Sequence, residues 1–140
     1  MPEYLVNNQR ETEAIATKLA KNLKGGELLA LSGNLGAGKT VFVQALAKAL
    51  GIKENITSPT FVLMKVYDLK KAKINKFVHV DCYRLYRRED LLEIGLEDYL
   101  IHDNIIVAIE WADKLRSLPD RAIKINIELL KDNKRKITIN

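Results

Sequence analysis

The stretch Gly33-Asn34-Leu35-Gly36-Ala37-Gly38-Lys39-Thr40 carries the densest chemical content of the chain. It matches G-x-x-x-x-G-K-S/T, a pattern that cradles phosphates. Glycines let the backbone curl until several N–H groups converge on phosphate oxygens. Lys39 adds a flexible point charge suited to β- and γ-phosphates. Thr40 brings a hydroxyl of the kind that holds a Mg²⁺ bridging those phosphates. Such a loop should end at a helix N-terminus, where unpaired N–H groups and the dipole favour an anion.

Two carboxylates qualify as the acidic element of a phosphate site, because each closes an apolar strand. Asp81 ends Phe77 to Val80, where alternation puts Phe77, His79 and Asp81 on one face. Glu110 ends Ile105-Ile106-Val107-Ala108-Ile109, the most continuous β-branched run. An unpaired carboxylate there is costly unless it meets a cation or hydrogen-bond donors. Zinc is not expected. His79 reads as a structural histidine, and His102 stands alone in a polar turn.

The surrounding elements follow from periodicity. Leu28 to Leu31 reads as a buried strand entering the loop. Val41, Ala45, Leu46 and Ala49 recur at helical spacing up to Gly51. Upstream, Ile15, Leu19 and Leu23, flanked by Ala16 and Ala20, predict an amphipathic helix from about Thr12 to Leu23, stopped by Gly25-Gly26. Thr57-Ser58-Pro59-Thr60 is a hydroxyl-rich loop fixed by its proline. A hairpin is expected from Phe61–Tyr67 and Phe77–Val80, with Lys70, Lys71, Lys73 and Lys76 in its turn. Arg84, Arg87, Arg88, Glu89, Asp90 and Glu93 suggest a short charged helix, and 96–100 continues weakly helical. Ile105 to Ile109 should be a central strand, buried on both faces. Trp111 is either a core anchor or a stacking surface, with the core the first expectation. Ile123, Ile125, Ile127 and Leu129, then Ile137 and Ile139, alternate across Asp132-Asn133-Lys134 as a second hairpin. Two long helices are too few for an all-parallel sheet. The expected fold is α/β: a single P-loop NTPase domain over residues 1–140, with a mixed sheet flanked by helices.

The 47% hydrophobic and 29% charged content is that of a globular chain, and no apolar run approaches a membrane span. A lone Cys82 cannot form an internal disulfide, which suits a reducing cytoplasm. The net charge of +5 permits a phosphate-bearing partner without requiring one. No aromatic and basic platform for a single nucleic-acid strand is visible.

Taken in order, the loop, Thr57-Ser58-Pro59-Thr60-Phe61, His79-Val80-Asp81-Cys82-Tyr83-Arg84-Leu85, Leu92-Glu93-Ile94-Gly95-Leu96 and Ile109-Glu110-Trp111 closely resemble the bacterial TsaE (YjeE) family. The resemblance runs from the Glu11-Thr12 region to about Pro119. It implies a small ATPase of tRNA threonylcarbamoyladenosine formation that acts with TsaB and TsaD, meeting tRNA through that complex. It further implies that Gly33, Asn34, Leu35, Gly36, Ala37, Gly38, Lys39 and Thr40 hold the triphosphate of ATP. Val41 and Thr12 are further expected ATP contacts, Thr12 near the base, although helix capping is the first use expected of Glu11-Thr12. Thr40 and Glu110 would hold Mg²⁺, Lys39, Asp81 and Glu110 would serve hydrolysis, and Ser58-Pro59-Thr60 would sense the nucleotide. Asn34 and Cys82 stand where the family commonly has Asp and Leu, and neither change removes a catalytic group. Arg84 is a candidate arginine finger.

Two other readings compete. In a small-molecule kinase, Arg84, Arg87 and Arg88 would clamp phosphate as a lid, but the chain has little room for an acceptor-binding segment. In a nucleotide-dependent binding module, hydrolysis would be incidental.

Overall fold

The computed structural model describes residues 2–34, 36–57, 64–85 and 94–140. Among these residues, seven strands form one sheet: β1 (Glu3–Val6), β2 (Leu28–Gly33), β3 (Met64–Lys71), β4 (Ile74–Asp81), β5 (Ile105–Glu110), β6 (Ile123–Leu129) and β7 (Arg135–Ile139). Their order is β1-β7-β6-β2-β5-β4-β3. The central strands β6, β2, β5 and β4 run parallel. Antiparallel neighbours close both sides, β3 on β4 and β7 on β6, with β1 beyond β7. The expected mixed sheet is present.

The parallel core has a functional consequence. It brings the C-terminal ends of β2, β4 and β5 to one end of the sheet, where open α/β sheets bind ligands. Leu31 pairs with Glu110, and Asp81 pairs with Glu110. Val6, at the end of β1, pairs with Arg135, which pairs with Leu129 at the end of β6. The start of the first helix therefore lies at the same end.

That helix, α1 (Gln9–Asn22), begins three residues earlier than its apolar spacing indicates. Asn8 caps it by accepting from the Glu11 N–H at 3.0 Å, and Glu11 Oε1 accepts from the Asn7 N–H at 3.0 Å. This reciprocal capping satisfies first-turn donors. Helix α2 (Lys39–Ala49) follows the glycine loop as expected, and Gly51 has φ +102° just past its end. Its buried face is Phe42, Val43, Leu46 and Ala47, wider and rotated from the Val41–Ala49 stripe. The reason is that α2 buries against α1 as well as the sheet.

Alternation along the strands separates two cores. Leu29, Leu31, Phe77, Ile106 and Ala108 pack under α1 and α2. Leu28, Ala30, Val78, Val80, Ile105, Val107 and Ile109 face the other side. There the cover among the described residues includes Leu96, Tyr99 and Leu100 around α3 (Glu97–Leu100), with Ala112 and Leu115. All six residues of β5 are buried, as a central strand requires.

The β3–β4 hairpin turns more tightly than expected. Lys70, Lys71 and Lys76 lie within the strands, and the reversal falls at Ala72, with φ +53°. The charged stretch at 86–93 and the proline loop at 58–63 lie outside the described residues. No helix among those described is long and apolar enough to cross a membrane.

Candidate functional site

Gly33 is the last residue of β2, with φ +145°. A Cβ there would overlap the Ile127 carbonyl on β6, so only glycine lets the chain leave the sheet at this point. Gly38 caps α2 in a left-handed conformation, with φ +108°. Strand, curled loop and helix are thus in the arrangement that phosphate binding demands.

Lys39 is buried, yet its ammonium is well provided for. Nζ donates to the carbonyls of Gly33 at 2.7 Å and Asn34 at 2.8 Å. It also lies 3.9 Å from the centre of the Trp111 ring. Burial lowers the Lys39 pKa below 10.5, while the carboxylates of Glu110, Asp113 and Asp81 act in the opposite sense. The charge is therefore held by weak neutral partners and a diffuse acidic field. A phosphate could outbid both.

Glu110 is 2% exposed at the end of β5, and each of its oxygens has a partner. Oε1 accepts from the Thr40 hydroxyl at 2.8 Å. Oε2 meets His79 Nε2 at 2.6 Å. Asp81 stands opposite Glu110 in the β4–β5 register and accepts from the Tyr83 N–H at 2.9 Å. Lys39, Thr40, Asp81 and Glu110 come together as the sequence predicts.

The remaining expected contacts divide. Gly36 and Ala37 lie in the loop and Val41 in the first turn of α2. Leu35, like Ser58-Pro59-Thr60, Arg87 and Arg88, falls outside the described residues. Thr12 is buried in the first turn of α1 at this end of the sheet, and its hydroxyl has no hydrogen-bond partner among the described residues. His102 is in an exposed turn, and no cluster of three or more His, Cys, Asp or Glu is present among those described.

The comparisons with known proteins bear on this whole arrangement. A family model described as threonylcarbamoyl adenosine biosynthesis protein TsaE matches residues 6–137. The chain belongs to the TsaE family. Its TsaE relatives include a protein of Treponema pallidum, 38% identical over 93% of each chain. Another, from Aquifex aeolicus, is 36% identical over 99% of this chain and 96% of the relative. Both carry the name tRNA threonylcarbamoyladenosine biosynthesis protein TsaE. Among solved structures, Bacillus subtilis YdiB superposes with a TM-score of 0.73 at 31% identity, covering 99% of this chain and 83% of that one. The fold is that of a P-loop NTPase, and the family's role lies in tRNA threonylcarbamoyladenosine biosynthesis.

Within this TsaE site, three contacts had no signal in the sequence. Trp111 fills both of its expected uses, partly buried against the core and packed on Tyr83 at 5.1 Å between centroids, but the lysine is new: with φ +58° it turns its ring face to Lys39. His79 reaches the second oxygen of Glu110. Arg135, from β7, donates through Nε to the Ala37 carbonyl at 3.0 Å and through a terminal nitrogen to Asn133 at 2.6 Å. Only the closing of the sheet brings Arg135 to the loop.

Proposed function

We propose that this chain, acting as one domain, is a Mg²⁺-dependent ATPase that supports a TsaB–TsaD threonylcarbamoyl transferase acting on tRNA in the cytoplasm. The observation that carries this reading is the Thr40–Glu110 hydrogen bond at the mouth of the phosphate loop. It gathers a hydroxyl and a carboxylate, two hard oxygen donors, beside the expected phosphate position. Mg²⁺ favours a few protein oxygens completed by phosphates and water, so these residues fit it. Thr40 and Glu110 would hold it, and it would supply charge neutralisation across the β- and γ-phosphates.

The chain's own groups do the rest. Loop N–H groups from Gly33 to Thr40 bind the triphosphate, and Lys39 exchanges its carbonyl partners for phosphate oxygens. Val41 and Thr12 extend the nucleotide contacts. Asp81 orients the attacking water. Arg135, the arginine that braces the loop, directs its N–H groups to carbonyls, which favours slow turnover by the isolated protein.

ATP turnover with and without TsaB and TsaD tests the reading. Turnover should rise with the partners and collapse in Lys39→Ala, Asp81→Ala and Glu110→Ala. Turnover indifferent to partners but stimulated by a small phosphate acceptor would favour a small-molecule kinase instead.

A further inference from the structure

His79 is a fully buried imidazole with one nitrogen committed and one orphaned. Nε2 meets Glu110 Oε2 at 2.6 Å, and Nδ1 is buried without a hydrogen-bond partner among the described residues. Both residues lie on the sheet face that carries α2. The register pairs Asp81 with Glu110 and His79 with Ala108, so His79 is the diagonal neighbour of Glu110. The small Ala108 directly opposite leaves room for the ring to lean towards the carboxylate.

An aliphatic side chain at this place on β4 would fill the space without an orphaned nitrogen. It could not grip one oxygen of Glu110 while the other faces Thr40. We propose that His79 is a positioning residue for the Mg²⁺ site: its Nε2–H fixes the Glu110 carboxylate so that Oε1 is presented to the phosphate loop. His79 touches neither nucleotide nor metal. The inference rests on the Mg²⁺ reading of Thr40 and Glu110. Carboxylate ligands are routinely oriented by such outer hydrogen bonds, and losing one costs roughly 10–100-fold in metal affinity or activity.

The test is calorimetric titration of adenylyl imidodiphosphate into the wild-type chain, His79→Leu and His79→Gln, once with MgCl₂ and once with EDTA. His79→Leu should keep its affinity in EDTA within about twofold and lose about tenfold of the gain that Mg²⁺ confers. His79→Gln, with an amide N–H near the position of Nε2, should recover most of it. A folded His79→Leu protein with the full Mg²⁺ gain overturns the proposal, as does a folded His79→Gln no better than the leucine variant. Should His79→Leu fail to melt cooperatively, His79→Asn replaces it. Its shorter amide cannot reach Glu110, so a Mg²⁺ gain equal to that of His79→Gln overturns the proposal. A wild-type chain that gains nothing from Mg²⁺ removes the underlying metal reading, which is a different outcome.

Discussion

The Lys39 ammonium lies against the face of Trp111, 3.9 Å from the ring centre, while it donates to two carbonyls of its own loop. A cation over an indole face gains about 0.5–2 kcal/mol, with the higher values in desolvated places. This contact keeps a buried charge partnered before any phosphate arrives. It also ties the signalling side chain of the molecule to the chemical one, because the sequence has a single tryptophan.

Intrinsic fluorescence should therefore report on the loop. Adding ATP with Mg²⁺ should shift or quench Trp111 emission as Lys39 turns to phosphate. The same addition to Lys39→Met should leave the emission unchanged. A signal of equal size in Lys39→Met would mean that the ring does not sense the ammonium.

The phosphate loop was legible because its pattern is local: glycine, lysine and hydroxyl positions are fixed by neighbours within a few residues. The two carboxylates were legible for a related reason, since each closes an apolar strand. Buried strands could be read from continuous apolar runs, as in Leu28 to Leu31 and Ile105 to Ile109, and a strand face from alternation, as in Ile123, Ile125 and Ile127. What escaped depends on pairing between distant segments. β1 has four residues and joins the sheet only through β7, from the other end of the chain. The left-handed turn at Trp111 follows a buried strand with no glycine to announce it. The hairpin limits of β3 and β4 were blurred because lysines project from an edge strand and its partner.

Gly33 and Gly36 should respond differently to alanine, although both have positive φ. At Gly33 a Cβ meets the Ile127 backbone carbonyl, whereas at Gly36 nothing among the described residues lies within 4 Å. Gly36→Ala should cost only the left-handed strain, about 1–2 kcal/mol. Gly33→Ala must also push β2 from β6 and should lose more than about 3 kcal/mol. Urea unfolding of the two variants gives the comparison directly. Equal losses would show that the β2–β6 contact yields easily.

Arg135 should matter to nucleotide binding through the loop's shape. Its guanidinium spans the carbonyls of Ala37, Gly36 and Asn133, an arc that one ammonium cannot cover. Hydrogen bonds to a charged group contribute about 1.5–3 kcal/mol each. Arg135→Ala should weaken ATP binding by about tenfold, and Arg135→Lys should restore little of it. Calorimetry on both variants decides the point. Full recovery with lysine would assign the effect to charge rather than to the fork of donors.

The burial of Lys39 predicts a sign for stability against pH. Its folded pKa is lowered below the ordinary 10.5 by desolvation, so between the two values the unfolded chain holds more protons. Stability from this group therefore rises as pH climbs through the folded pKa towards 10.5. Lys76 acts oppositely and must be separated. Its hydrogen bond and charge pairing with Asp68 raise its pKa, so its contribution is present below 10.5 and fades as pH rises through the folded value above that. Comparing the wild-type chain with Lys39→Met cancels Lys76, because both proteins carry it. The wild-type chain should gain on the variant as pH rises towards 10.5 in chemical denaturation. A difference that stays flat, or shrinks, across that window would mean that the neighbouring carboxylates fully offset the burial of Lys39.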